Sequence, residues 1–338
     1  MNAVVLEKPG ILRTAALDPV GPPGPNDALV RVRRVGVCGT DLHAFRGNQP
    51  FFTYPRILGH ELGVEVLDAG PNPEGLKAGD RCAVEPYLYC GRCVACRRGK
   101  TNCCASLKVL GVHVDGGMRE QLVIPTSNLH KSDTLSFDQL ALAEMLCIGM
   151  HAVSRAALGS DDTLLVLGAG PIGLSVIEFA RLAGIPVSMM DINEKRLAYC
   201  RDALKMKHCL GASADPVAQV RDHHQGDLPT VVMDCTGNPQ SMMSAFDYAA
   251  PGGKLVFVGL FTGEVTFDDP SFHRKEMTLI STRNAAGRDV RRVLRLMESG
   301  MIDVDRWITH RIPYTVVAGE LPAWIESGVE FRKAVIEW

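Results

Sequence analysis

The sequence predicts an α/β protein with two lobes, one rich in short β-strands and one built on a doubly wound parallel sheet. At 338 residues the chain exceeds one compact core and suits two domains of roughly 150 residues each. From Ala3 to about Ile124, short apolar runs (VVLEK, ALVRVRRV, GVEVL, RCAVEP) are cut by Gly, Pro and Asp turns, the pattern of small antiparallel β structure. From about Asp161, strand-like and helix-like segments alternate, which implies parallel strands joined by crossover helices.

In the first lobe, the Pro/Gly cluster in LDPVGPPGPNDALV forbids regular pairing until Val30 and Val32 begin to alternate with Arg31 and Arg33, so a half-buried strand follows a loop. In the second, TLLVLG is a buried strand, Ile172, Val176, Phe179 and Ala183 recur at helical spacing, and PVSMMD is the next strand. TVVMDC, GKLVFVG and MTLIS continue the sheet, with helices expected around 194–204, 240–249 and 289–299. The ending FRKAVIEW is strand-like again and is expected to rejoin the first lobe. No repeat or low-complexity tract appears.

Composition is that of a globular protein, 46% hydrophobic and 22% charged. A net charge of −2 gives no global field for a nucleic-acid backbone or an anionic membrane, so neither is expected as a partner and any anion must be bound locally. The start, MNAVVLEKPG, lacks a basic region followed by an apolar stretch, and no run approaches the roughly 18 apolar residues of a spanning helix; a cytoplasmic location is expected. Eleven cysteines in such a chain are metal ligands, buried small hydrophobes or reactive thiols more readily than disulfides.

Their spacing is informative. Cys90, Cys93, Cys96 and Cys104 follow C-x2-C-x2-C-x7-C, which lets one loop wrap four thiolates tetrahedrally around a single Zn²⁺. Four protein ligands leave no open position, so this zinc would be structural and its binding would contribute folding free energy. The competing readings are an iron–sulfur site, a redox thiol pair, or a zinc ribbon gripping nucleic acid through Arg92, Arg97, Arg98 and Lys100. Cys103 is the odd member, because adjacent residues cannot easily face one metal from extended backbone.

A second constellation lies upstream. VCGTDLH gathers Cys38, Thr40, Asp41 and His43 in one turn, and LGHELG places His60 beside Glu61. Cysteine, histidine and carboxylate together can hold a catalytic zinc. Either Glu61 or Glu144 supplies the carboxylate. Alone, Cys38 reads as a small buried hydrophobe and His60 as a core histidine. The third element is VLGAGPIG, where Gly168, Gly170 and Gly173 form G-x-G-x-x-G between a strand and a helix, with Pro171 and Ile172 inside the motif. That context suits a dinucleotide pyrophosphate on the helix N-terminus. Asp191 closes the next strand, where a carboxylate accepts from a ribose 2′-hydroxyl and repels a 2′-phosphate, favouring NAD over NADP; Arg196 is a neighbouring candidate. The alternative for Asp191 is an N-cap on the segment NEKRLAYC.

With these elements in order, VGVCGTDLH, ILGHELG, CGRCVACRRGKTNCC, VLGAGPIGL, Asp191 and the closing RKAVI make the chain similar to the zinc-dependent medium-chain alcohol and polyol dehydrogenases over essentially its whole length. GNQPFFTYPRILGHE, TNCCASLKVLGVHVDGG, GLFTGEVTFDDPSFHRKE and STRNA resemble the sugar-acid branch most. The resemblance implies a GroES-like catalytic domain over 1–149, a Rossmann NAD-binding domain over 150–286 and a C-terminal return over 287–338. It also implies one catalytic and one structural zinc, Cys104 rather than Cys103 as the fourth structural ligand, and a homodimer or homotetramer. A proton relay would run through Thr40, the nicotinamide ribose and His43. Glu144 stands where simple alcohol dehydrogenases often carry cysteine, as in the polyol and threonine branches, although Met145 follows it where those branches usually have proline.

The implied reaction is oxidation of a secondary hydroxyl of a sugar acid such as L-galactonate or L-gulonate, with hydride transfer to NAD⁺. Asn48 and Gln49 are candidates for sugar hydroxyls, and Arg283 and Lys333 for the carboxylate. Rival readings are a neutral polyol, butanediol or threonine dehydrogenase, a zinc-free quinone reductase and a zinc-binding regulatory or nucleic-acid module.

Overall fold

The computed structural model describes residues 1–329 and 331–338. The chain forms two compact units, Met1–Glu144 with Ala285–Trp338, and Met145–Asn284. The first division falls inside the helix Phe137–Ala156.

Among the described residues, the first unit carries a seven-stranded sheet. Its path runs Leu129–Lys131, Arg81–Val84, Glu61–Asp68, Asp27–Val37, Lys333–Glu337 and Ile308–Pro313, and Gln121–Pro125 also pairs with Asp27–Val37. Val30 and Val32 are buried while Arg31 and Arg33 are part-exposed, as the alternation requires; a register shift between Val32 and Arg34 then leaves Arg34 part-exposed and Val35 buried. The C-terminal strand lies between two others, antiparallel to Asp27–Val37 and parallel to Ile308–Pro313. A short antiparallel pair, Tyr87–Leu88 with Lys108–Val109, brackets the cysteine loop.

The second unit is a six-stranded, all-parallel sheet in the order Cys209–Leu210, Val187–Met190, Leu164–Leu167, Val231–Asp234, Lys254–Phe257, Thr278–Ser281. Numbered within this unit, that is 3-2-1-4-5-6, which reverses between Leu164–Leu167 and Val231–Asp234. Ligands of such sheets bind beyond the carboxyl ends of the strands at this reversal. Leu164–Leu167 and Val231–Asp234 are buried along their whole length, as strands covered on both faces are. The expected helices are found as Glu194–Asp202, Pro239–Tyr248 and Gly287–Glu298. Three further helices of at least eight residues, Phe137–Ala156, Pro216–His223 and Tyr314–Ser327, were not expected from the sequence, nor were the shorter Val94–Arg97 and Asp269–Arg274. No helix among the described residues is long and apolar enough to cross a membrane.

Candidate active site and metal centres

The upstream constellation converges. Cys38 ends the strand Asp27–Val37 and stands as N-cap of the helix Gly39–Phe45, with its N–H donating to Asp41 Oδ2 at 2.9 Å. Gly36 pairs with Glu61 across the sheet, and a Cβ there would lie 2.1 Å from Glu61 Oε2. The missing side chain is what makes room for the Glu61 carboxylate. Gly59, at φ +93°, turns the chain so that His60 enters the same place; a Cβ on it would meet Val35 at 2.8 Å. One ligand atom from each of Cys38, His60 and Glu61 lies within 4.8 Å of the others.

Around them are buried charges with incomplete pairing. Asp41 Oδ1 is 3.8 Å from His60 Nδ1, beyond hydrogen-bond range. Among the described residues, Asp41 Oδ1, His60 Nδ1 and Glu61 Oε2 have no hydrogen-bond partner. Burial by itself pushes His60 down, yet Asp41, Cys38 and Glu144 draw it well above the usual imidazole range. Burial raises both Asp41 and Glu144. A buried pocket with a thiol, three carboxylates and unpartnered oxygens calls for a cation, and this donor set fits Zn²⁺.

The structure separates the two candidate carboxylates. Glu61 faces Cys38 and His60, whereas Glu144 accepts a short hydrogen bond from the buried Tyr87 hydroxyl and lies outside the three-donor group. Lys333 is placed differently from the sequence expectation. Its side chain is 2% exposed and its Nζ donates to Glu61 Oε1 at 2.5 Å, so it is a buried counter-ion rather than a cation open to a substrate carboxylate. Spacing could not show this, because the partner lies 272 residues away. Thr40 is part-buried and His43 exposed on the same short helix. Asn48 is exposed, Gln49 Oε1 accepts from the Phe51 N–H at 3.3 Å, and Arg283 is exposed in the second unit.

The cysteine loop closes on itself. Cys90, Cys93, Cys96 and Cys104 bring their sulfurs within 4.8 Å of one another, while Cys103 is exposed. The N–H groups of Cys90 and Ser106 donate to Cys104 Sγ at 3.3 and 3.4 Å. The N–H groups of Ala105 and Cys96 draw Cys93 down to about 6. Burial first, then the neighbouring thiols, drive Cys96 up to about 12. Four thiols that cannot ionise together without a cation are a donor set that fits Zn²⁺ with no open position.

In the second unit each motif glycine has its own reason. Gly168 has φ +96°, Gly170 has nothing within 4 Å of a built Cβ, and a Cβ on Gly173 would lie 1.9 Å from Gly168 O. These are the tight turn, the open approach for a phosphate and the close helix–strand packing of a dinucleotide site. Gly170 is the N-cap and Pro171 the first residue of the helix Pro171–Leu182, with Ile172 next. Asp191 is buried and accepts from the Ala169 N–H at 2.6 Å and the Asn193 N–H at 2.7 Å. Asn193, not Asp191, caps the following helix. Arg196 NH1 is 4.0 Å from Asp191 Oδ2.

Known proteins agree with this arrangement. Residues 24–134 match the alcohol dehydrogenase GroES-like domain, and residues 171–299 match the zinc-binding dehydrogenase family. L-galactonate-5-dehydrogenase of Escherichia coli K12 is 40% identical over 336 residues, covering 99% of this chain and 98% of that protein. The chain belongs to the zinc-type medium-chain alcohol dehydrogenases. Two solved structures superimpose on this dehydrogenase along its whole length. An alcohol dehydrogenase of E. coli CFT073 complexed with NADH gives a TM-score of 0.89 at 28% identity, covering 100% of this chain and 99% of its own. A zinc-binding dehydrogenase of Sinorhizobium meliloti 1021 bound to NADP gives 0.86 at 29%, with the same coverage. The protein is therefore an oxidoreductase of a zinc- and nicotinamide-dependent family, with a GroES-like and a Rossmann unit.

Proposed function

We propose that this dehydrogenase oxidises a secondary hydroxyl of a sugar acid, of the L-galactonate or L-gulonate type, with NAD⁺ as the hydride acceptor. The observation that carries the substrate class is the full-length likeness to L-galactonate-5-dehydrogenase. The converging donors of Cys38, His60 and Glu61 support the chemistry.

Cys38, His60 and Glu61 would hold the catalytic Zn²⁺, and Cys90, Cys93, Cys96 and Cys104 the structural one. Zinc with an open position would supply Lewis acidity, lowering the pKa of bound water to about 7 and acting likewise on a hydroxyl. The residues of this chain do the rest. Asp41 ties the Cys38 backbone and faces His60, and Lys333 anchors one oxygen of Glu61 while the other points inward. Glu144, tied to Tyr87, supports this centre as a neighbouring carboxylate. Thr40 and His43 carry the proton outward. Partial burial, with help from Arg46, lowers His43 below the usual imidazole value, so it is neutral at pH 7 and can accept.

Asp191 offers acceptors to the adenosine ribose hydroxyls and repels a 2′-phosphate, which favours NAD; Arg196 beside it is the residue through which NADP could still be tolerated. Asn48, Gln49 and Arg283 remain the candidates for the hydroxyls and carboxylate of the substrate. The test is NAD(P)H formation by zinc-replete enzyme with L-galactonate, L-gulonate, sorbitol, threonine and butanediol, each with NAD⁺ and NADP⁺. Preferential aldonate oxidation with NAD⁺ is expected. Faster turnover of a neutral polyol would reject the sugar-acid reading and leave the zinc chemistry intact.

A further inference from the structure

The net charge of −2 conceals a strong asymmetry. Residues 90–108 hold Arg92, Arg97, Arg98, Lys100 and Lys108 and no Asp or Glu, and the helix Gly287–Glu298 adds Arg288, Arg291, Arg292 and Arg295. The helix also carries Asp289 and Glu298; with those nine cations set aside, 27 cationic side chains stand against 36 acidic ones outside the two segments. All nine are exposed. Among the described residues, only Arg288 of the nine approaches a carboxylate within ion-pair distance, Asp289 at 4.0 Å.

The two basic segments lie in one unit and meet. The helix buries Val290, Val293, Leu294 and Met297, which fixes its arginines, spaced i, i+3, i+4 and i+7, on the opposite face. Tyr89, just before Cys90, is 37% exposed. It closes the segment that runs from Glu85 into the cysteine loop. A Cβ on Gly287 would lie 2.7 Å from Glu85 Oε2 and 3.4 Å from the Arg291 guanidinium, which places the start of the helix against the strand leading into the cysteine loop. Arg97 donates to the Arg92 carbonyl, and Arg295 Nε to the Arg291 carbonyl at 3.1 Å, so both pairs are braced.

We propose that this face is a second binding surface of the enzyme, for single-stranded nucleic acid. A solvated charged face is the ordinary reading of surface arginines, and a zinc held by four thiolates absorbs two of the loop's positive charges. Neither accounts for six further unpaired cations gathered on a chain that is otherwise acidic. Guanidinium forks match phosphodiester oxygens in pairs, and arginine supplies seven of the nine cations. Tyr89 and the 63% exposed Val94 stand among them, and an aromatic ring between cations stacks on unpaired bases, which a duplex does not offer. Whole-chain charge cannot reveal such a surface, because the acids elsewhere cancel it.

The test is fluorescence anisotropy of a labelled thymidine strand of about 20 nucleotides with zinc-replete enzyme, at about 50 and 200 mM salt. Micromolar binding at low salt, about 100-fold weaker at high salt, is expected if roughly five phosphates are neutralised. Arg92→Glu with Arg97→Glu, and Arg291→Glu with Arg295→Glu, should each weaken it by about tenfold or more while zinc content and dehydrogenase activity stay unchanged. Tyr89→Ala should weaken it by about fivefold or more. No binding at low salt up to about 100 μM overturns the proposal, as does equal competition by polyglutamate or binding untouched by both arginine variants. Tighter binding of a duplex, insensitive to Tyr89→Ala, overturns the single-strand assignment.

Discussion

Gly170 and Gly173 stand three residues apart in one motif, yet substituting alanine should damage the protein in opposite ways. At Gly173 the new Cβ would fall 1.9 Å from Gly168 O, where ordinary contact begins at 3.4 Å, so turn and helix must separate by about 1.5 Å. The atom in the way is backbone and cannot rotate aside. Overpacking of this kind costs about 1–3 kcal/mol. For a domain of this size that is a fall in Tm of about 2 to 12 °C. At Gly170 nothing lies within 4 Å of the new methyl. Losing glycine at the N-cap costs about 0.5–1 kcal/mol, and stiffening the unfolded chain returns about as much. Stability should therefore stay within about 0.5 kcal/mol of the parent. The methyl instead fills the space a pyrophosphate needs over the helix N-terminus, so NADH affinity should fall at least about tenfold, or 1.4 kcal/mol. Scanning calorimetry and NADH fluorescence titration on both variants separate the effects. If Gly170→Ala bound NADH as tightly as the parent, or melted as early as Gly173→Ala, the division of labour within the motif would be wrong.

Three other outcomes follow from the first unit. Lys333→Met strands the Glu61 carboxylate in a buried site and should cost about 3–5 kcal/mol in urea denaturation of the zinc-free protein; a loss below 1 kcal/mol would mean that the pair is not buried as described. Cys104→Ser should leave one zinc per chain by elemental analysis and lower Tm, whereas Cys103→Ser should retain two; the reverse pattern would exchange their roles. His43 must be neutral to accept a proton, and Arg46 helps to lower its pKa. Arg46→Ala should therefore move the acid limb of kcat/KM to higher pH, and an unmoved limb would remove His43 from the relay.

The parallel sheet was legible because its strands are short apolar runs closed by turn residues, and the cysteine cage because its ligands are local. The helix Phe137–Ala156 escaped for a physical reason. From Leu140 to Cys147 every residue is buried, so no polar face marks the 3.6-residue period. The helix Tyr314–Ser327 carries Pro322 inside it, a residue that ordinarily ends a helical reading. At the metal centre, Cys38, His60 and Glu61 were visible as residue types, but the choice between Glu61 and Glu144 was not. That choice turns on Tyr87 and Lys333, a phenol and an ammonium brought in from distant strands. The same distance made Lys333 look like a cation open to a substrate carboxylate.

The placement of Lys333–Glu337 between Asp27–Val37 and Ile308–Pro313 bears on how the protein is made. A ribosome delivers this strand after every other strand of its sheet. Until it arrives, the Arg34–Val37 end of the strand Asp27–Val37 has an unpaired edge, and Glu61 has no ammonium beside it. The parallel sheet of Met145–Asn284 draws on no residue from either end of the chain and is complete earlier. Synthesis should therefore pass through a state in which the unit Met145–Asn284 is folded while the first unit waits, long-range and open, for the strand Lys333–Glu337. Emergence of Lys333–Glu337, rather than of Cys38 or His60, becomes the moment at which Glu61 first gains its ammonium partner.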